Sequence, residues 1–198
     1  MKYFLGLLIT TLIVGAIFLG FSIGKSSLIQ SMTNNTSESV TADRSEKDLG
    51  VRVLDLSNRG ITKVDSEIYR KTNTTDLILS GNNIKTLPSE MGRMTNLVTL
   101  KIDHNLLDGN LIGEVRLMSK LKILDVSSNN MTGIPAEIGQ LNKLEILNYS
   151  DNKITNLPDE LSKLRYNLKE FDLSGNPLSQ EQISKLKILL PDTKIIFN

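Results

Sequence analysis

His104, Ser128 and Asp151 are the residue types of a nucleophilic triad, and they follow one another at intervals of 24 and 23 residues. If each interval is one step between neighbouring parallel strands, the three side chains lie in one column about 4.8 Å apart. A triad needs the histidine between the serine and the acid, because the imidazole accepts the serine proton and the carboxylate orients the imidazole. Here Ser128 would stand in the middle, with Gly81 on the other side of His104. We therefore expect solvated polar residues and no enzymatic activity.

Asp103, Asp125 and Asp151 are the candidates for a hard-cation site. They fall in different columns of such an arrangement, and nothing in the sequence supplies the roughly six to eight oxygens that calcium prefers. The chain has no cysteine, which excludes thiolate metal sites, a cysteine nucleophile and disulfide-bonded caps. It also has no glycine-rich phosphate loop, zinc-binding spacing or kinase-like motif. The sequence therefore predicts neither a metal nor a cofactor.

The elements that would position these residues are short strands that recur along the chain. Leu124 and Val126 alternate as in a strand, whereas Ile138 and Leu141 are spaced for one face of a helical turn. At steps of 23 or 24 residues the strand pair recurs as Leu54–Leu56, Leu77–Leu79, Leu100–Ile102, Leu124–Val126, Leu147–Tyr149 and Phe171–Leu173. Three residues after each pair stands a polar residue: Arg59, Asn82, Asn105, Asn129, Asn152 and Asn176. One such unit cannot bury its apolar edge alone, so six copies predict a stacked solenoid.

The repeated unit, seen most fully as LKILDVSSNNMTGIPAEIGQL and LEILNYSDNKITNLPDELSKL, resembles the leucine-rich repeat in its typical 23-residue form. The resemblance covers residues 51–198. It implies an α/β architecture: a curved right-handed solenoid with a parallel concave sheet of six to seven strands, and asparagine side chains laddered against turn backbone. It also implies that protein binding is the usual role of the domain.

Departures from this pattern mark particular repeats. Arg59 replaces the first ladder asparagine, and Lys71 and Thr74 replace apolar residues, which suits a terminal repeat that faces solvent. The third repeat (LLDGNLIGEV) and the fifth (LRYNL) each carry one extra residue. Both insertions fall outside the predicted strands, so we expect them to bend the arc without breaking the ladder.

The C-terminal segment, about residues 179–198, is predicted to cap the solenoid. Ser179 and Gln182 resemble a capping box that opens a helix. Ile183, Leu186 and Leu190 then form one apolar face, Pro191 ends the helix, and residues 194–197 can add a final strand. This ending resembles the C-terminal cap of bacterial leucine-rich repeat proteins, from which we expect a bacterial envelope protein.

The N-terminal segment, residues 1–24, is predicted to direct the chain to a membrane. Residues 3–24 are 22 consecutive uncharged and mostly apolar positions, enough at about 1.5 Å per residue to cross a hydrocarbon core of about 30 Å. An uncleaved anchor and a cleaved signal both remain open, because Gly20, Ser22 and Gly24 could satisfy a signal peptidase. Lys2 weakly favours a cytoplasmic N-terminus. We expect the repeat domain to be extracytoplasmic on a single-pass membrane protein, or secreted if the segment is cleaved.

Two further expectations concern this N-terminal region. Ala16, Gly20 and Gly24 place small residues four apart, which either lets two anchors approach in a weak dimer or only reflects a helix end rich in small residues. Residues 25–50 are rich in Ser, Thr and Asn and show no apolar period, so they are predicted to be a disordered tether.

The predicted partner-binding surface is the concave face of the sheet. The net charge of +1 offers no clustered basic excess for nucleic acid. Residues that alternate with the core leucines face outward, and the column after them is mostly serine, including Ser57, Ser127 and Ser150. The candidate binding residues are Asp55, Asp76, Ile78, Lys101, Asp103, His104, Ile123, Asp125, Ile146, Asn148, Asp151, Glu170 and Asp172.

Seven of these candidates are acidic, against the single Lys101, and three are isoleucines that would act as exposed apolar anchors. This composition favours a basic protein or peptide as the partner. Two alternatives stay open. The polar residues could merely solvate the sheet, and the chain could be a structural spacer or assembly protein of the envelope.

Overall fold

The computed structural model describes residues 52–197. The predicted anchor and tether, residues 1–24 and 25–50, lie outside the described residues. Within residues 52–197, no helix combines the length and apolar character that crossing a membrane requires.

The strands form one parallel sheet and one small accessory pair. The strands are β1 (Val53–Asp55), β2 (Asp76–Ile78), β3 (Thr99–Lys101), β4 (Asp108–Gly109), β5 (Ile123–Asp125), β6 (Asn130–Met131), β7 (Ile146–Asn148), β8 (Glu170–Asp172) and β9 (Lys194–Ile196). Seven of them pair in the order β1-β2-β3-β5-β7-β8-β9, all parallel, while β4 pairs with β6. The prediction of a parallel sheet of six to seven strands is confirmed.

The segments that return from each strand to the next are mostly single turns of 3-10 helix. These span Ser89–Arg93, Gly113–Leu117, Ala136–Gln140 and Asp159–Leu164, and the first repeat has a short α-helix, α1 (Ser66–Tyr69). The apolar residues in the 3-10 turns recur three apart, as in the buried pairs Met91–Met94 and Ile138–Leu141. Because a 3-10 helix has about three residues per turn, this spacing puts both members of a pair on the core side.

The predicted asparagine ladder closes each turn. Asn152 is buried, and its Oδ1 accepts a hydrogen bond from the Met131 backbone N–H at 2.9 Å. Its Nδ2 donates to the carbonyl oxygens of Val126 and Tyr149, at 3.0 and 3.1 Å. One side chain thus serves the backbone of two successive repeats, and Asn82, Asn105 and Asn129 do the same. Without these bonds the buried peptide groups of each turn would lack partners.

The residue that follows the serine column, or Asp103 in the third repeat, adopts a left-handed backbone conformation. These residues are Asn58, Gly81, His104, Ser128, Asp151 and Gly175, with φ between 52° and 69°. At the two glycines of this set, a side chain would also meet a close neighbour. A Cβ at Gly81 would lie 2.2 Å from Asn58 Oδ1, and one at Gly175 would lie 2.3 Å from Asp151 Oδ1.

The two insertions have different effects. In the third repeat, β4 pairs with β6 of the next repeat beside the main sheet. In the fifth repeat, the 3-10 helix has six residues where the others have five, and the chain then reaches the exposed Tyr166. Neither insertion interrupts the seven-stranded sheet, as expected.

The C-terminal cap follows the predicted plan with one difference. Helix α2 (Gln180–Leu189) begins after Ser179, whose side chain accepts a hydrogen bond from the Gln182 backbone N–H at 3.2 Å. Ile183, Leu186 and Leu190 are buried, and β9 pairs with β8. The reciprocal half of the capping box is not formed, because Gln182 Oε1 is buried without a hydrogen-bond partner.

Candidate functional site

The concave face contains a shallow cleft of about 240 Å³ that crosses β3, β5, β7 and β8. We call it the concave cleft, and its lining residues are Lys101, Ile123, Asp125, Ile146, Leu147, Asn148, Glu170 and Asp172. Seven of the thirteen predicted binding residues therefore come together in one place. Leu147 was not predicted, because its side chain belongs to the core and is fully buried.

The carboxylates of the cleft are held in place by the residues that follow them. Asp125 Oδ1 accepts hydrogen bonds from the backbone N–H and the hydroxyl of Ser127, at 3.1 and 2.7 Å. Asp172 makes the same pair of bonds with Ser174, at 2.9 and 2.7 Å. Side chains of Asp commonly hydrogen-bond the backbone two residues on, which turns the chain out of the strand. Each acid thus presents one fixed carboxylate with only one oxygen occupied by this turn.

Two members of the serine column are buried, whereas the alternation had suggested that the whole column faces outward. Ser127 and Ser150 are only 7% and 8% exposed, since the chain has already begun to turn inward at these positions. Their function is structural. They satisfy the acid or amide two residues before them and do not add a polar row to the surface.

Asn148 shows that the turn does not require a negative charge. Its Oδ1 accepts the Ser150 backbone N–H at 2.9 Å, in the same register position as Asp125 and Asp172 on the neighbouring strands. An amide oxygen is therefore sufficient for this hydrogen bond. The charges of Asp125 and Asp172 exceed what the fold needs.

The net charge of the concave face is less negative than predicted, because the last strand adds a lysine. Lys194 of β9 lies beside Glu170 in register, and its Nζ is 2.9 Å from Glu170 Oε2. On the other side of the cleft, Lys101 faces Asp125 across β3 and β5. Lys194 is not among the predicted binding residues, but extending the strand columns to the predicted final strand places it on this face. Of the three acids that line the concave cleft, Asp172 is the one without a cationic residue in register on an adjacent strand.

The isoleucines differ in how much surface they offer. Ile146 is 38% exposed and lies directly beside Ile123 on the neighbouring strand. Ile123 and Ile78 are half-buried, so the expectation that all three are exposed anchors holds fully only for Ile146. Ile78 lies on β2, outside the lining of the concave cleft.

The remaining predicted site residues lie outside the concave cleft. Asp55 and Asp76 belong to β1 and β2, and their carboxylates bond Ser57 and the Thr75 hydroxyl. A hydrogen bond from the Ser57 backbone N–H, with a second from its hydroxyl, holds the pKa of Asp55 below its usual value. His104 and Asp151 occupy the left-handed turns after their strands and do not line the concave cleft.

Asp103 and His104 form a polar pair at the edge of the sheet. Asp103 accepts a hydrogen bond from the Ser80 hydroxyl, and its other oxygen lies 2.9 Å from His104 Nδ1. Burial alone would raise the pKa of Asp103, but the hydrogen bonds with Ser80 and His104 outweigh it and leave the pKa below its usual value. His104 thus contacts an acid of its own repeat, not the Ser128 hydroxyl. Among residues 52–197, no three His, Cys, Asp or Glu side chains group as a metal site would require.

A stack of parallel strands, short return turns and a buried asparagine ladder defines the leucine-rich repeat class. Residues 118–179 match the leucine rich repeat family model. Residues 52–197 accordingly form a leucine-rich repeat solenoid.

Three comparisons illustrate this similarity. The leucine-rich repeat and fibronectin type III domain-containing protein 1 of Danio rerio is 48% identical over 63 residues, 31% of this chain and 11% of that protein. A leucine-rich repeat protein of Leptospira interrogans superposes with a TM-score of 0.58 at 29% identity, over 73% of this chain and 42% of that one. A plant peptide hormone receptor in complex with RGF2 gives a TM-score of 0.58 at 29% identity, over 69% of this chain and 22% of that one. The chain thus spans less than half the length of each of these proteins.

Proposed function

We propose that this protein is a non-catalytic binding module that holds a protein or peptide with a basic surface in the concave cleft. The observation that carries the proposal is the excess charge at Asp125 and Asp172. Asn148 makes the same turn without a charge. The turn therefore does not explain why the two neighbouring strands carry acids at the same register position. A cationic ligand does explain it.

The chemistry of the cleft suits a lysine or arginine next to an apolar side chain. The Ser127 and Ser174 bonds fix the two carboxylates, so little side-chain freedom is lost when a cation binds. The Ile123 and Ile146 pair offers an apolar surface beside them. A basic peptide would place its charged group against Asp172 and Asp125 and its apolar group against Ile146.

The size of the face predicts weak and transient binding. Seven strands at about 4.8 Å spacing, each with three residues at about 3.3 Å per residue, give a face near 300 Å². A standard interface buries about 800 Å² on each partner. A ligand confined to this face should therefore dissociate quickly, with charge acting mainly on the rate of encounter.

The comparisons support the class of partner. The plant neighbour is a peptide hormone receptor in complex with RGF2, and its fold is similar to 69% of this chain. The basic character of the partner is derived from this chain's own residues.

We further propose that residues 3–24 anchor the chain in a membrane and place the repeat domain outside the cytoplasm. The apolar run and the position of Lys2 support this arrangement. Protease added to intact cells should remove the repeat domain. If only permeabilised cells lose it, the domain is cytoplasmic and this part of the proposal fails.

The binding proposal can be tested with peptides selected from a random display library on the full chain. Enriched peptides should combine Lys or Arg with an apolar residue. The double variant Asp125→Asn/Asp172→Asn should slow their association several-fold and flatten its salt dependence, because the amide keeps the turn but removes the charge. Ile146→Ala should mainly speed dissociation.

A matched control removes the same charge elsewhere. Glu137 and Asp192 lie outside the concave cleft, so Glu137→Gln/Asp192→Asn should leave association within about twofold of wild type, because distant surface charges are screened. Equal slowing in both double variants would show that the concave cleft is not the electrostatic site. A library that yields no saturable binder would favour the structural spacer instead.

A further inference from the structure

A second groove lies on the loops that lead into β5, β7 and β8, beside the concave cleft. It has a volume of about 400 Å³, and we call it the lysine groove. Its lining residues are Lys122, Asn142, Lys143, Glu145, Tyr166, Asn167 and Lys169. None of these residues belongs to the predicted binding set.

One glutamate organises two of the lysines. Glu145 Oε1 lies 2.8 Å from Lys122 Nζ, and Oε2 lies 2.5 Å from Lys169 Nζ. Hydrogen bonds from Lys122 and then Lys169 lower the pKa of Glu145 to about 2, so the carboxylate stays ionised at neutral and mildly acidic pH. Both ammonium groups remain largely exposed, with side-chain exposures of 51% and 73%, and keep donors for a further acceptor.

The groove keeps an excess of positive charge after this pairing. Lys143 is exposed on the same lining, which leaves three lysines against one glutamate. Arg165 adds another cation at the groove's end, where its guanidinium lies 5.3 Å from the centroid of the Tyr166 ring. The charge of this edge is opposite to that of the concave cleft.

Tyr166 gives the groove an apolar contact surface. Its side chain is 85% exposed, and the Arg165 contact steadies the ring. The residue is in the segment that the fifth repeat lengthens, so the insertion places an aromatic ring where the other repeats have none. Aromatic and arginine side chains are enriched at protein interfaces, where one flat surface serves both apolar and polar contacts.

We propose that the lysine groove binds an acidic segment of a protein partner. Its carboxylates would bond Lys143, Lys169 and Lys122, and an apolar neighbour in the segment would pack on Tyr166. Glu145 stands among the lysines, so a continuous polyanion such as a nucleic acid or a dense phosphate surface would meet a fixed negative charge at the centre. Separate carboxylates can avoid Glu145 and still reach the outer ammonium groups. The proposal is independent of the concave cleft.

The test uses the full chain and a short labelled peptide that combines Glu and Asp with Leu, followed by fluorescence anisotropy. The variant Lys143→Gln/Lys169→Gln should weaken binding about fivefold to tenfold, since each exposed ion pair contributes up to about 1 kcal/mol. The control Lys85→Gln/Lys153→Gln removes the same charge from exposed lysines elsewhere and should change binding less than about twofold.

Further variants separate this groove from general charge effects. Glu145→Gln should strengthen binding a few-fold, because it frees Lys122 and Lys169 and removes the central negative charge. Tyr166→Ala should weaken binding, whereas Asp125→Asn/Asp172→Asn, which removes two nearby negative charges, should not weaken it.

Several outcomes would overturn the proposal. Equal losses in the two lysine double variants would assign the binding to diffuse charge. Binding of phosphatidylserine vesicles in preference to the peptide, lost in Lys143→Gln/Lys169→Gln, would make the groove a membrane contact. Absence of saturable peptide binding by the wild-type chain would also refute it.

Discussion

The two ends of the repeat domain terminate the same stack by different means. At the C-terminal end, Leu186 and Leu190 of the cap cover the apolar core and are each 1% exposed, but the Gln182 side-chain oxygen is buried there without a partner. At the N-terminal end, Leu54 and Leu56 are only partly buried among the described residues. Among the described residues, no buried side-chain polar atom at that end lacks a hydrogen-bond partner.

Arg59 explains how the first strand satisfies its backbone. In the interior of the sheet, the carbonyl of the residue that ends each strand accepts an N–H from the preceding repeat, as Lys101 does from Leu79 at 2.7 Å. Asp55 holds this position in β1, and the Arg59 guanidinium donates to its carbonyl at 3.2 Å. The residue that replaces the first ladder asparagine therefore supplies the bond that a preceding repeat would make.

Each end of a solenoid leaves two things without neighbours: the apolar surface of the terminal repeat and the backbone groups of the terminal strand. The cap helix solves the first with side-chain volume, whereas Arg59 and the Asp55–Ser57 turn solve the second with charged and polar groups. Substitutions at the two ends should therefore differ in kind as well as in size.

The largest expected effect is the loss of cap volume. Leu186→Ala should lower the free energy of unfolding by about 2–5 kcal/mol, because it removes buried methyl groups and leaves a cavity. Leu54→Ala should cost clearly less, since part of Leu54 is already in contact with solvent. Urea unfolding monitored by circular dichroism measures both. Equal costs would mean that the N-terminal end is covered as fully as the C-terminal one.

The next effect is a gain in stability at the C-terminal end. Gln182→Met keeps the length of the side chain and removes the buried oxygen that has no partner. The free energy of unfolding should rise by about 1 kcal/mol, because an unsatisfied buried acceptor costs about 1–3 kcal/mol. The exposed Gln180→Met is the control and should change stability little. A destabilised Gln182→Met protein would show that the oxygen has a partner in solution.

A loss of similar size is expected at the helix start. Ser179→Ala removes the side-chain acceptor of the Gln182 N–H and should cost about 1 kcal/mol. Ser184→Ala, an exposed position inside the same helix, should be neutral or slightly stabilising. Thermal unfolding of both variants under the same conditions compares them. If Ser184→Ala costs as much, the cap hydrogen bond has no special role.

The smallest effect on stability is expected at the N-terminal end, where the substitution should also cause self-association. Arg59→Ala should change the free energy of unfolding by less than about 1 kcal/mol, because the bond that it removes is exposed. Among the described strands β1 is an edge strand, and without the Arg59 bond it should pair with another copy, so sedimentation velocity should show concentration-dependent dimers. Arg165→Ala removes the same charge away from this edge and should stay monomeric. Dimers in both variants would point to net charge as the cause.

Much of the fold could be predicted because the repeat is local and periodic. Leu124 and Val126, with Asn129 three residues later, contain the information for one strand, one buried edge and one ladder residue, and six copies confirm one another. The same periodicity placed Asp125, Asn148 and Asp172 in one column. Their meeting in a single cleft followed from in-register pairing, which the insertions leave intact because they fall outside the strands.

The period, the strands, the ladder and the outward columns can be derived from the sequence, since they depend on residue type and spacing alone. The burial of Ser127 and Ser150 in turns, the pairing of Lys194 with Glu170, and the meeting of Lys122, Glu145 and Lys169 in one groove become visible only in the folded domain. These outcomes depend on the distances between side chains of different repeats, and the path of the turns sets those distances. The spacing of residues along the chain does not contain that path.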